Sequence, residues 1–157
     1  RPLTKRLTAV FGAAGERDSS KRPEMGRIAA KYADRLIITT DNPRHEPQQQ
    51  TIDDVRRGVP ADKECEEFVD RKAAIYRALE TAQPGELIAL CGKGHETYQE
   101  IGTIKYHLDE REVVRERFAQ VQRKDAADAA KENEHEDHHS LHTELRGLRD
   151  HGKISGP

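Results

Sequence analysis

The stretch Leu7–Thr40, LTAVFGAAGERDSSKRPEMGRIAAKYADRLIITT, holds two apolar runs separated by a polar loop and an amphipathic segment. Leu7-Thr8-Ala9-Val10-Phe11-Gly12 is short, apolar and closed by glycine, the pattern of a buried strand. A helix is expected from about Pro23, since proline fits the first turn, with Ser20 as its cap. Met25, Ile28, Ala29 and Tyr32 recur at helical spacing and predict one apolar stripe. Leu36-Ile37-Ile38-Thr39-Thr40 is β-branched and is halted by Asp41-Asn42-Pro43. Strand, helix and strand at this spacing predict a right-handed parallel βαβ unit.

Further along, the pattern repeats. Thr51 to Arg57 reads as a short helix with Thr51 able to cap it and Asp53 and Asp54 in its first turn. The stretch from Gln48 to Glu67 is short and polar for a helix–strand pair, which leaves a strand there doubtful. Asp70 to Ala82 is a stronger helix with Ile75, Ala78, Leu79 and Ala82 on one face, ended by Pro84-Gly85. Glu86-Leu87-Ile88-Ala89-Leu90-Cys91-Gly92 is another buried-strand run, with Cys91 read as a buried small residue. Thr97 to Leu108 predicts a hairpin turning near Gly102, and Asp109 to Val121 a last helix with Val114, Phe118 and Val121 facing inward. The fold class expected is α/β, an open, mostly parallel, Rossmann-like sheet flanked by helices.

Bulk composition divides the chain. Of 157 residues, 34% are hydrophobic and 36% charged, too polar for one compact globule of this length. Residues 1–121 carry the apolar runs and form the expected domain. Residues 122–157 form a charged, histidine-rich tail, read as a helical extension or as disorder. His135, His138, His139 and His142 lie at spacings that a helix can bring over a divalent metal, yet nothing else defines such a site, and no metal is assigned. A formal net charge of −2 gives no global field for nucleic acid or an anionic membrane. No apolar run approaches the roughly 18 residues of a membrane span. Cys65 and Cys91 make no disulfide framework, and the whole reads as cytoplasmic.

Three loops follow the C-terminal ends of candidate strands, where an open parallel sheet gathers its ligands. In Asp41-Asn42-Pro43-Arg44, proline stiffens the turn, Asn42 offers an amide, and Arg44 offers a planar fork for a carboxylate. An ordinary turn with a solvated arginine reads equally from these residues. Gly92-Lys93-Gly94-His95-Glu96 lacks the phosphate-loop pattern; its glycines let a ligand approach the backbone, and Glu96 can receive an ammonium group. His95 is a base, a donor or a structural turn residue. The first loop, Gly12-x-x-Gly15-x-Arg17-Asp18, is followed by Lys21 and Arg22 at a helix start, a natural anion site or a solvated helix end.

Taken in order, Gly-x-x-Gly-x-Arg-Asp, Lys-Arg-Pro-x-Met-Gly, Thr-x-Asp-Asn-Pro-Arg and Gly-Lys-Gly-His-Glu-x-Tyr-Gln resemble the C-terminal domain of the Mur ligase family, over about residues 5 to 118. The likeness is closest to the branch that adds diaminopimelate. It implies an ATP-dependent peptidoglycan-precursor ligase that joins meso-diaminopimelate to UDP-N-acetylmuramoyl-dipeptide through an acyl phosphate. It also implies that this domain presents the amino acid while other domains handle ATP and Mg2+. The resemblance assigns substrate binding to Arg17, Asp41, Asn42, Pro43, Arg44, Gly92 and Glu96. Lys21 and Arg22 are the expected nucleotide or phosphate contacts, and His95 the one candidate for a catalytic group. The phosphate loop and the nucleotide-sugar domain have no counterpart in these residues, so the isolated chain is expected to be inactive and to bind no cofactor. The other reading is a stand-alone, non-catalytic module that binds an amino acid or a partner protein. A lysine-adding relative fits less well, since lysine has no second carboxylate for Arg44.

Overall fold

The computed structural model describes residues 5–124 and residue 126. The chain divides into two units, Arg1–Arg117 and Phe118–Pro157, and the sheet and all the loops of interest belong to the first. The histidine-rich stretch and its metal reading lie outside the described residues.

Four strands form a wholly parallel sheet in the order β3-β2-β1-β4: β1 (Arg6–Phe11), β2 (Arg35–Thr39), β3 (Cys65–Phe68) and β4 (Glu86–Leu90). Alternation along the two central strands sends Phe11, Leu36 and Ile38 to one face and Val10 and Ile37 to the other. On the first face lie α1 (Arg22–Tyr32) and α2 (Gln48–Arg56), the latter contributing Ile52 and Val55. On the second lies α3 (Arg71–Glu80), through Ala74, Ile75 and Ala78, joined by Val113 of α4 (residues 110–124). An antiparallel hairpin, β5 (Tyr98–Ile101) and β6 (Ile104–His107), stands apart from this sheet and turns at Gly102. β1 leads to β2 on one side, whereas α3 returns the chain to β4 on the other. The carboxyl ends of β1 and β4 therefore form the switch point where such sheets bind ligands.

Several expectations need correction. Ser20 does not cap α1. Asp18 caps a single 3-10 turn (Ser19–Lys21), accepting from the Ser20 amide, and α1 begins beyond it. Thr51 lies inside α2 rather than at its start, fully buried, its hydroxyl donating to the Gln48 carbonyl. The doubtful strand exists as β3, held less by apolar packing than by ion pairs: Glu66 with Arg35 and Arg77, and Glu67 with Arg56 at 3.3 Å. The stripe on α1 is not core: Met25, Ile28 and Tyr32 are exposed, Tyr32 by 61%. They border an open apolar groove with Leu7, Ala9 and Ala89. β4 is an edge strand, so Leu87 and Cys91 are exposed rather than buried. Along the last helix Val113 is the buried apolar residue and Val114 packs beside it, while Phe118 and Val121 stay exposed. Cys65 is the more enclosed thiol, and burial pushes its pKa up to about 11. No helix among the described residues is long and apolar enough to cross a membrane.

Candidate functional site

Close approach of backbone to backbone locks the first and second loops together. A side chain at Gly12 would meet the Thr39 carbonyl oxygen at 2.1 Å, and one at Gly15 the Pro43 carbonyl oxygen at 1.9 Å. Gly15 donates its amide to the Asn42 carbonyl at 2.8 Å and accepts from Arg44 Nη1 at 2.6 Å. The glycine spacing thus encodes contact with the next loop, not a phosphate cradle.

Arg44 sits at φ +52°, in the left-handed region. It is held there by pairing with the hairpin: its amide donates to the Glu100 carbonyl, and its carbonyl accepts from Gly102. Its side chain is 20% exposed, with Nε 3.3 Å from Glu100 Oε2. Nε and Nη1 are therefore engaged within the protein, and Nη2 makes no such contact among the described residues.

Asn42 is buried, and its amide is read from three sides. Oδ1 accepts from Lys93 Nζ at 2.6 Å and from the Glu100 amide at 2.9 Å, while Nδ2 donates to Glu96 Oε2 at 3.0 Å. Two donors against the oxygen and one acceptor against the nitrogen fix the orientation of the amide. The Asn42 hydrogen bond, helped by the Lys93 ammonium, holds the Glu96 carboxyl below its usual range, so it is ionised at neutral pH. Gly92 and Gly94 take positive φ, and the Glu96 amide closes the turn onto the Lys93 carbonyl. His95 is exposed on that turn.

A cleft of about 460 Å³ opens at the switch point, lined by Gly12, Ala13, Ala14, Arg17, Lys21, Asp41 and Gly92 among others. Arg17, Asp41 and Gly92 are thereby brought together, with Arg17 and Lys21 exposed. Asn42, Pro43, Arg44 and Glu96 form a neighbouring cluster, of which Pro43 is buried as a spacer. Arg22, the other expected phosphate contact, also lines this cleft. Its guanidinium is 2% exposed and donates to Glu46, to Asp54 and to the Ala14 carbonyl, so it ties α1, α2 and the first loop together. Arg22 in turn holds the Glu46 carboxyl below its ordinary value.

Two cations with fully buried side chains escaped the sequence reading. Lys93 has a fully buried side chain, and so has Arg71, whose guanidinium donates to Glu110, to the Thr40 carbonyl and to the Cys91 carbonyl. Arg71 thus clamps the carboxyl ends of β2 and β4, from which the second and third loops spring. The signal available was weak: Arg71 directly follows the cap residue of a helix packed on the sheet, and Lys93 lies between two glycines.

Comparison with known proteins agrees with the fold. Residues 1–94 match the family model described as Mur ligase, glutamate ligase domain. A UDP-N-acetylmuramoyl-L-alanyl-D-glutamate--2,6-diaminopimelate ligase of Synechococcus elongatus is 51% identical over 116 residues, 74% of this chain and 23% of that protein. Its namesake from Chlorobaculum tepidum is 47% identical over 120 residues, 76% of this chain and 23% of that protein. A solved structure of a ligase of the same name superposes with a TM-score of 0.73 at 37% identity, covering 76% of this chain and 25% of the other. The chain spans about a quarter of the length of the relatives it matches. With the motif order, the parallel sheet and these matches in agreement, the chain belongs to the Mur ligase family and carries its glutamate ligase domain.

Proposed function

We propose that this chain is the amino-acid-presenting domain of a cytoplasmic, ATP-dependent ligase that adds meso-diaminopimelate to UDP-N-acetylmuramoyl-dipeptide in peptidoglycan synthesis. The observation that carries this reading is the Asn42–Glu96 pair beside Arg44. One amide N–H donor and one ionised carboxylate stand 3.0 Å apart, with a guanidinium edge close by in sequence. A zwitterionic head group, one carboxylate and one ammonium on the same carbon, is the complement of that set. Diaminopimelate carries two such groups, so its far end can be held here while its near amine is offered for reaction.

In the complete ligase, the dipeptide's terminal carboxylate takes the γ-phosphoryl group of ATP to become an acyl phosphate and ADP leaves; Mg2+ would balance the phosphate charge. The amine, its ammonium proton given up to solvent, then attacks the acyl carbon; a second proton is lost as the amide forms and inorganic phosphate leaves. Those steps belong to parts of the ligase outside this chain. The contribution here is orientation: Asn42, Arg44 and Glu96 fix the far end, Pro43 sets the spacing, and Arg17, Asp41 and Gly92 line the cleft through which the chain of the substrate runs. Lys21, exposed on the same cleft, is the remaining cation for a phosphate or carboxylate.

The test is an ADP-release assay on the whole gene product with ATP, UDP-N-acetylmuramoyl-dipeptide and either meso-diaminopimelate or lysine. Turnover with diaminopimelate and little with lysine is the expected result. Equal turnover with both, or none with either, overturns the assignment.

A further inference from the structure

We propose that Lys93 is the positioning residue of this site: its buried ammonium sets the polarity with which Asn42 and Glu96 face the amino acid. The inference rests on the proposed amino-acid site and goes beyond it, because Lys93 itself is fully enclosed and touches no substrate.

The Lys93 side chain is 0% exposed. Its Nζ lies 2.6 Å from Asn42 Oδ1, 2.8 Å from the Tyr98 carbonyl, 3.2 Å from Asp41 Oδ1 and 3.3 Å from Glu96 Oε2. A tetrahedral ammonium has three protons, and here more than three oxygens compete for them, all from the second loop, the third loop and the hairpin. Asp41 Oδ1 is buried and accepts no hydrogen bond, so Lys93 is the charge that compensates it. Removing the ammonium would leave two carboxylates and an amide oxygen facing one enclosed point.

Two consequences follow for recognition. With Oδ1 of Asn42 occupied by Lys93 and the Glu100 amide, only the Nδ2 end remains for a ligand, and an N–H donor selects an anion. With Glu96 Oε2 drawn toward Lys93 and Asn42, Oε1 is left to accept from an ammonium. A lysine without direct substrate contact thereby decides that the site reads carboxylate and ammonium side by side. Without the ammonium, Asn42 Oδ1 keeps only the Glu100 amide, its orientation loosens, and the preference for a zwitterion over a plain ammonium fades.

The experiment compares the whole ligase with its Lys93→Met variant, measuring KM for diaminopimelate and for ATP, kcat, and the selectivity for diaminopimelate over lysine. Wild-type turnover with diaminopimelate tests the proposed function, and the variant measured against that wild type tests the role of Lys93. The expected result is a rise in KM for diaminopimelate of about tenfold to a hundredfold, the equivalent of one charge-assisted hydrogen bond. KM for ATP should stay level, kcat should change little, and selectivity over lysine should drop; Lys93→Arg should restore part of the selectivity. An unchanged KM for diaminopimelate overturns the proposal, as does a parallel rise in both KM values with selectivity intact. Should the Met variant fail to fold, 15N spectra of the wild-type chain decide the matter. A slowly exchanging Lys93 ammonium signal supports the buried node, and exchange as fast as that of surface lysines overturns it.

Discussion

Gly15 and Pro43 belong to different loops, yet a Cβ on Gly15 would fall 1.9 Å from the Pro43 carbonyl oxygen. That oxygen is backbone and cannot swing aside, so a side chain at Gly15 must push the two loops apart. The shift would break the Gly15–Asn42 and Arg44–Gly15 hydrogen bonds together. Gly15→Ala is expected to destabilise the chain by about 1–3 kcal/mol, the usual cost of overpacking. It should also raise KM for diaminopimelate in the whole ligase. Urea denaturation and steady-state kinetics read the two effects, and a variant unchanged in both would show that the loops are not interlocked.

Arg71 supports the site from beneath. Its fully buried guanidinium pairs with Glu110 at 2.8 Å and caps two strand-end carbonyls. Truncating one partner of a buried pair costs about 3–5 kcal/mol, because the other charge is left uncompensated. Arg71→Met should therefore lower the urea midpoint substantially, and the double variant Arg71→Met/Glu110→Gln should recover part of the loss. A double variant no better than the single one would mean that the carbonyl contacts, rather than the charge pair, carry the stability.

Both central strands were legible because Val10, Phe11, Leu36, Ile37 and Ile38 are apolar on both faces, and only a strand covered on two sides tolerates that. β3 was not, because its support is ionic: a run of Cys65, Glu66, Glu67 and Phe68 reads as solvated until Arg35, Arg56 and Arg77 are seen beside it. The α1 stripe failed for the opposite reason. Periodicity identifies an apolar face but carries no information about what lies against it, and Met25, Ile28 and Tyr32 border an open groove. At the candidate site, loop residues such as Asn42, Arg44 and Glu96 could be named from residue type and loop position. Lys93 and Arg71 could not, since a buried cation and a surface cation are the same letter, and only the convergence of carbonyls and carboxylates in space separates them. The partners of Arg22 were hidden in the same way, since Glu46 and Asp54 lie more than twenty residues along the chain.

Arg44 is expected to carry selectivity. Its Nε and Nη1 are engaged with Glu100 and the Gly15 carbonyl, so in the proposed site Nη2 is the nitrogen offered to a ligand carboxylate. In the whole ligase, Arg44→Ala should reduce kcat/KM for diaminopimelate by the equivalent of about 2–5 kcal/mol, as expected for a desolvated ion pair. Activity with lysine, low to begin with, should change far less. Part of the loss will be structural, so the melting temperature is measured alongside. Unchanged kinetics with diaminopimelate would remove Arg44 from the site.

Acid should weaken the start of α4 through Asp109. Asp109 accepts from the Arg111 amide at 2.9 Å and pairs with the Arg111 guanidinium at 2.7 Å. The Arg111 side-chain hydrogen bond, more than any other cause, lowers the Asp109 pKa from its ordinary 3.8 to about 2. A carboxyl depressed by folding contributes stability that is fully present above its unfolded value and is lost as pH falls through its folded value. The window here runs from about pH 4 down to about pH 2. The difference in urea midpoint between wild type and Asp109→Ala should therefore be widest near neutral pH. It should narrow steadily across that window, since a protonated Asp109 no longer accepts as a charged cap. A gap of constant width from neutral pH to the bottom of the window would mean that Asp109 acts through packing alone, with its charge contributing nothing to the helix start.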